Sequence, residues 1–334
     1  MCELFGVCAN MEVDIKFTWR GFVKKGSKNP DGWGIGWYVE VNGKRVASVI
    51  KQPIPSVESY LALNISELDV RSNIIISHVR RATEGDACYV NTHPFVRKIV
   101  RSFNTGKWDE WIFAHNGGLS KEFRESIRLS KFKPIGDTDS EFAFCYIAES
   151  IEGIYRIGDL FLRLYELADE IKDFGNFNIL FSNSRYLFVY SKHDKNDMYY
   201  VKRHPPHSAY VHLADEDFSA DLGKIKALSE YACLISTKKL TNERWIKFYP
   251  KKLYIFRDGE LVLRVDNNGF KPMIPRECLD VLANIRENEP IDINEFDEPI
   301  VRRLIDLKYL IKNERLVRIS ENKKALVDIL ISSN

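Results

Sequence analysis

Cys2 lies in the stretch Met1-Cys2-Glu3-Leu4-Phe5-Gly6-Val7 and becomes the first residue if an aminopeptidase removes Met1. One residue then carries both a thiol and a free α-amino group. The thiolate is the nucleophilic form, and a free Cys titrates at about 8.5. An α-amine titrates at about 7.7–8.0, so part of it is a neutral base at neutral pH. A nucleophile that carries its own general base is the N-terminal nucleophile arrangement. Taken alone, Cys2 reads instead as a small buried hydrophobe opening a first strand, because free Cys is usually a core residue. Later stretches carry the catalytic reading.

Amide hydrolysis by a thiol also needs oxyanion donors and groups that hold the substrate. In His115-Asn116-Gly117 the Asn116 side-chain amide and the Gly117 backbone N–H are suitable donors. Arg80 offers a planar fork for a carboxylate, and Asp139 a partner for an ammonium. Together they would hold the α-amino-acid end of a glutamyl group. The plainer readings are a simple turn at His115–Gly117 and a structural ion pair between Arg80 and Asp139.

The elements around these residues follow from pattern. Cys2 to Ala9 reads as a buried first strand. Ser72 to Ser77 reads as a central strand delivering His78-Val79-Arg80-Arg81-Ala82-Thr83 at its end. Trp111 to Ala114 is a strand that ends in His115-Asn116-Gly117-Gly118. Asn42-Gly43 and Asp258-Gly259 each join two strand-like runs as hairpin turns. The glycines of Asp31-Gly32-Trp33-Gly34 lack dinucleotide-site spacing and read as close backbone approach near a site. Thr138 or Asp139 caps a helix through Ala148, and a second helix spans about Ile157 to Lys172. Asn267-Asn268-Gly269 reads as a boundary. Beyond it come helices at Pro275–Arg286, Ile291–Phe296 and Glu298–Leu310 and a strand at Glu314–Ile319, an order that resembles a small winged-helix module.

Cys2 with Phe5-Gly6, Asp31-Gly32-Trp33-Gly34, His78-Val79-Arg80-Arg81-Ala82-Thr83, Asn91-Thr92-His93-Pro94, His115-Asn116-Gly117 and Gly136-Asp137-Thr138-Asp139-Ser140-Glu141 fall in one order. That order resembles the class II glutamine amidotransferases, N-terminal nucleophile hydrolases with a four-layer αββα core. The chain most resembles their stand-alone branch, which includes hydrolases of γ-glutamyl compounds such as glutathione. The resemblance implies an α+β fold with an amidotransferase-type domain over 2–268; the tail goes beyond the family core, and its element order points to the winged-helix-like module over 271–334. It implies Cys2 as nucleophile, Asn116 and Gly117 as oxyanion hole, and Arg80 and Asp139 on the substrate α-carboxylate and α-amine. Thr83 and His93 match residues lining the glutamine pocket. Arg81 stands where many fused members have Trp, which changes the pocket lid. No cofactor is implied.

Composition narrows the classes. The 334 residues hold 45% hydrophobic and 29% charged residues, enough for a large core. Lys+Arg and Asp+Glu nearly balance at 49 and 47, which disfavours nucleic acid and anionic membranes. No apolar run is long enough for a membrane span, and the start lacks a charged-then-apolar leader, so a cytoplasmic location is expected. The six cysteines are dispersed without CxxC pairs and read as reduced thiols, with no metal site implied. A single Gln, Gln52, among many Ile, Lys and Glu leans toward a thermophilic source. The expected substrate is a small γ-glutamyl molecule; a homo-oligomer or a synthase partner stays open. The alternatives are an ammonia-donating glutaminase subunit and a sensor with a DNA-binding tail, for which Arg302, Arg303, Lys308 and Lys312 would contact phosphates.

Overall fold

Strand β1 (Glu3–Asp14) alternates two apolar sets, and each set belongs to a different core. The computed structural model describes residues 2–333, apart from the Ser66 side chain. With β2 (Trp33–Val41), β3 (Lys44–Gln52) and β4 (Arg71–Val79), β1 forms part of a seven-stranded antiparallel sheet. Its neighbours are β4 and the strand Ala232–Ser236. A second seven-stranded sheet contains β5 (Phe95–Ser102), β6 (Lys107–Leu119), β7 (Gly175–Ser182) and β8 (Leu187–Tyr190). Leu253–Arg257, Glu260–Asp266 and Gly269–Pro272 continue it beyond β8.

Leu4 and Cys8 of β1, with Ile74 and Ile76 of β4, pack against Ile112, Ala114, Leu180 and Leu187 of the second sheet. Phe5, Val7 and Ile75 point the other way, onto Trp19 and Phe22 of the helix Lys16–Val23. Strands buried on both faces need continuous apolar sequence, which Ile74-Ile75-Ile76 supplies. On the outer face of the second sheet, Phe113, Phe181 and Phe188 meet helices Asp139–Ile151 and Ile157–Ile171. The second of these turns Leu160, Phe161, Leu164, Leu167, Ala168 and Ile171 inward, one helical stripe. Each fully buried Phe contributes about 1.5–3 kcal/mol. Between the sheets, the buried Tyr38 hydroxyl donates to Ser182 O at 2.7 Å and ties them together.

Several elements differ from the sequence reading. β6 does not stop at Ala114. It runs through His115–Gly118 to Leu119, paired with β7 from Ile112↔Ser182 to Leu119↔Gly175. Asn267–Gly269 is the turn of a hairpin inside the second sheet, where Gly269 takes a φ of +87°. The helix at Glu298 ends at Asp306, because Lys308 turns left-handed (φ 59°) into the strand Leu310–Asn313. Ile291–Phe296 is a two-residue strand followed by a 3-10 turn. Helices Lys16–Val23 and Lys324–Ser332 and strand β5 had no sequence expectation.

After residue 275 come helices Arg276–Asn288, Glu298–Asp306 and Lys324–Ser332, and a three-stranded sheet. Their Leu282, Leu304 and Leu326 join the same apolar cluster as Leu160 and Leu164. Charge fixes this joint as well. Glu260, fully buried, meets Arg303, Lys202 at 3.1 Å and His204 at 3.6 Å. Arg303 and Lys308, two of the four cations considered for phosphate contact, thus bind the core: Arg303 holds Glu260 and Lys308 holds Asn10 O.

Candidate active site

Sheet pairing brings the proposed nucleophile to its neighbours. Glu3 pairs with Val79, and Leu4 N donates to Thr237 Oγ1 at 3.0 Å, so Cys2 projects beside the end of β4. The half-buried Cys2 Sγ accepts from Arg81 N–H at 3.1 Å and lies 3.1 Å from Arg81 O. The 80–82 turn is itself held. Arg80 N donates to Gly32 O at 2.7 Å, and Asp31 Oδ2 accepts from Ala82 N at 2.7 Å. The Asp31-Gly32 segment therefore approaches this turn, and Gly34 has no room for a side chain: a Cβ there would lie 2.2 Å from His93 O. Burial raises the Cys2 thiol above its ordinary value, partly offset by the Arg81 N–H and the Arg80 charge. A thiol in this state needs a proton acceptor to act at neutral pH. Met1, whose removal would supply one, lies outside the described residues.

Asn116 comes from the other sheet. It is buried, and its Nδ2 donates to Cys2 O at 2.5 Å. Gly117 follows it where only glycine fits. A Cβ would lie 1.9 Å from Asn176 O and 2.4 Å from His115 Nε2. His115 is fixed at both nitrogens, Nε2 to Asn176 O at 2.9 Å and Nδ1 to Ser140 Oγ at 2.8 Å. A carbonyl only accepts, so Nε2 carries the proton and Nδ1 accepts from Ser140. Burial lowers the His115 pKa, in keeping with this neutral tautomer.

Asp139 opens the helix that Thr138 caps through Glu141 N at 3.2 Å. Its buried carboxylate accepts from Leu119 N and Ser140 N, both at 2.7 Å. Arg80 is 3% exposed and spends both terminal nitrogens on backbone carbonyls. Nη1 donates to Asp86 O at 3.0 Å and Asp31 O at 3.5 Å, and Nη2 to Glu84 O and Gly85 O at 2.9 Å. Arg80 and Asp139 each bind other groups rather than one another. Thr83 is exposed in the following loop. His93 is buried, its ring 4.3 Å from that of His78 and 4.5 Å from that of Phe95.

Asn196 had no sequence expectation. It is buried, its Nδ2 lies 3.5 Å from Cys2 O, and its Oδ1 has no hydrogen-bond partner among the described residues. Asn178 Nδ2 holds it by donating to Asn196 O at 2.7 Å. Its position depends on a residue 18 places away and its role on one 194 places away, so no local pattern marks it. Ser140 belongs to the Gly136–Glu141 motif, and its use as a brace for His115 follows from helix placement.

The buried histidines predict a pH effect. Burial, then the nearby Arg80 charge, lowers His78 to about 3, and burial also holds His93 well below its ordinary value. An unfolded His titrates at about 6.5. Between these values the unfolded chain binds more protons, so this contribution is complete above about pH 6.5 and is lost as pH falls toward 3. The urea midpoint of the parent should drop between pH 7 and 5, and His78→Gln should drop less. Equal drops would place the acid sensitivity elsewhere.

Among the described residues, no group of three or more His, Cys, Asp or Glu is arranged to hold a metal ion. No described helix is long and apolar enough to cross a membrane.

The family of class II glutamine amidotransferases matches residues 1–278. An uncharacterized protein of Methanocaldococcus jannaschii is 37% identical over 265 residues, covering 78% of this chain and 71% of that protein. YafJ of Escherichia coli, which carries a provisional glutamine amidotransferase name, is 33% identical over 273 residues, covering 79% of this chain and all of that protein. A crystal structure from Pseudomonas aeruginosa, titled a predicted glutamine amidotransferase, superposes with a TM-score of 0.55 at 26% identity, over 78% of this chain and 99% of that one. The glutamine phosphoribosylpyrophosphate amidotransferase of Bacillus subtilis shares the fold at 17% identity and a TM-score of 0.51, over 81% of this chain and 49% of that one. The buried pairing of the two sheets, the Cys2–Asn116 contact and the extent of the match agree, and the chain belongs to the class II glutamine amidotransferases.

Proposed function

We propose that this protein hydrolyses the γ-amide of glutamine or of another γ-glutamyl compound through a glutamyl-thioester on Cys2. The observation that carries the reading is the meeting of Cys2, at the head of β1, with the Asn116 amide of the facing sheet. In this mechanism the α-amine of Met1-free Cys2 takes the thiol proton, and Sγ attacks the γ-carbonyl carbon. Asn116 and the Gly117 N–H donate to the tetrahedral oxyanion. The ammonium returns a proton to the leaving amine as the C–N bond breaks, and water then cleaves the thioester to release glutamate. Two facing sheets with outer helices support the αββα N-terminal nucleophile hydrolase architecture. The order of elements after residue 275 supports a winged-helix-like module there. Glutamate release by purified Met1-free protein, with Cys2→Ala as blank, tests the reading.

In the same reading Arg80 holds the substrate α-carboxylate, Asp139 the α-ammonium, and Thr83 and His93 line the pocket. Arg80 must then exchange carbonyls of the 84–86 turn for the carboxylate, a local rearrangement on binding. Arg80→Lys keeps the charge but loses the fork. KM for glutamine should rise about tenfold or more, one lost charge-assisted hydrogen bond being worth about 1.5–3 kcal/mol. An unchanged KM with a lowered melting temperature would make Arg80 a brace for the turn alone.

A further inference from the structure

A cavity of about 830 Å³ lies away from Cys2, where both sheets meet the C-terminal module. That size falls within the usual range for small-molecule sites. Seven Lys or Arg side chains line it against three Asp or Glu, although the whole chain carries a net charge of only +2. The carboxylates are outnumbered locally. Asp109 serves both Arg185 at 3.4 Å and Arg101 at 3.9 Å. Asp258 serves both Arg257 at 3.3 Å and Lys323 at 2.8 Å. Among the described residues, Arg45 binds only neutral groups, Asn73 Oδ1 at 2.7 Å and Ser184 O at 3.1 Å.

We propose that this cavity is a binding site for a small polyanion carrying clustered phosphate groups. Guanidinium forks match phosphate oxygens two at a time, and three of them converge here from different elements. Arg45 comes from β3, Arg101 from β5 and Arg185 from the turn between β7 and β8. A fourth, Arg257, is 7% exposed and fixed by the Tyr186 hydroxyl at 2.7 Å and Asn322 O at 3.0 Å. Its nitrogens already donate to Tyr186, Asn322 and Asp258, so Arg257 gives the wall a fixed positive charge rather than an open fork. The module supplies Lys308 and Asn322 to the lining, so an occupant would touch module and core together. The site is separate from Cys2 and stands whatever the substrate of Cys2 proves to be.

The test is calorimetric titration of the full chain with inorganic pyrophosphate and with ATP at about 0.15 M salt, where long-range attraction is screened. One saturable site is expected for at least one probe. ATP binding tighter than pyrophosphate would identify a nucleotide site; equal binding would identify a site that reads phosphates alone. The combined variant Arg45→Gln, Arg101→Gln, Arg185→Gln changes partly exposed residues and should weaken binding about tenfold or more. Arg244→Gln, an exposed cation outside the cavity, and Cys2→Ala should bind as the parent does. No saturable site for either probe, or an equal loss in Arg244→Gln, would overturn the assignment.

Discussion

Cys2→Ala is expected to release no measurable glutamate from glutamine or from a panel of γ-glutamyl peptides, while its melting temperature should stay near that of the parent. The thiol is the only group in the proposed chemistry that forms a bond to substrate, so its loss should cost at least about 10⁴-fold in kcat. The fold should survive because Cys2 is half-buried and, among the described residues, its thiol hydrogen-bonds only to the Arg81 backbone. Losing such a contact costs about 1 kcal/mol. Two further measurements separate the nucleophile from a bystander. Intact mass should show Met1 absent from active protein. An electrophilic glutamine analogue should add once, at Cys2. The other thiols are poorer targets: Cys8, Cys145, Cys233 and Cys278 are buried, and burial raises Cys8 to about 12. Addition at the half-buried Cys88, or activity in protein that retains Met1 throughout, would sink the mechanism.

The second large effect is expected from Asn116→Ala, about 10²–10³ in kcat with little change in KM. Asn116 sits within one hydrogen bond of the nucleophile's own carbonyl and is buried on β6. Its amide is therefore placed before substrate arrives, and a preplaced donor acts on charge that appears only in the transition state. Part of the loss could come from releasing Cys2, and the electrophilic analogue distinguishes the two. If Asn116 serves only the oxyanion, analogues that alkylate the thiol directly should still label Cys2 in Asn116→Ala at nearly the parent rate. Slow labelling matched to slow turnover would make Asn116 a positioning residue for the thiol.

How much of this was legible in the sequence depends on how far apart the interacting residues lie. The largely apolar stretch to Ala9 in β1 and the Ile74-Ile75-Ile76 run declared their strands, because a strand buried on both faces reads as near-continuous apolar sequence. The Thr138 cap was equally local. His115–Gly118 looked like a strand end because polar and glycine residues usually mark turns. They continue the strand because Asn176 and Ser140, 61 and 25 positions away, satisfy His115. Arg80 read as an open fork, since nothing in the motif shows that the carbonyls of residues 84 to 86 curl back onto it. Asn267–Gly269 had the chemistry of a turn, and a turn within a hairpin looks the same in sequence as a turn between domains.

The pairing of β1 also sets a timetable. The strand that Cys2 heads closes against residues 71–79 on one side and 232–236 on the other. Contacts so distant in sequence form slowly, because the intervening chain must first be ordered. Until both pairings form, the Cys2 thiol lacks the Arg81 and Asn116 neighbours that the folded sheets place around it. In the proposed chemistry the thiol is therefore unarmed until the fold is nearly complete.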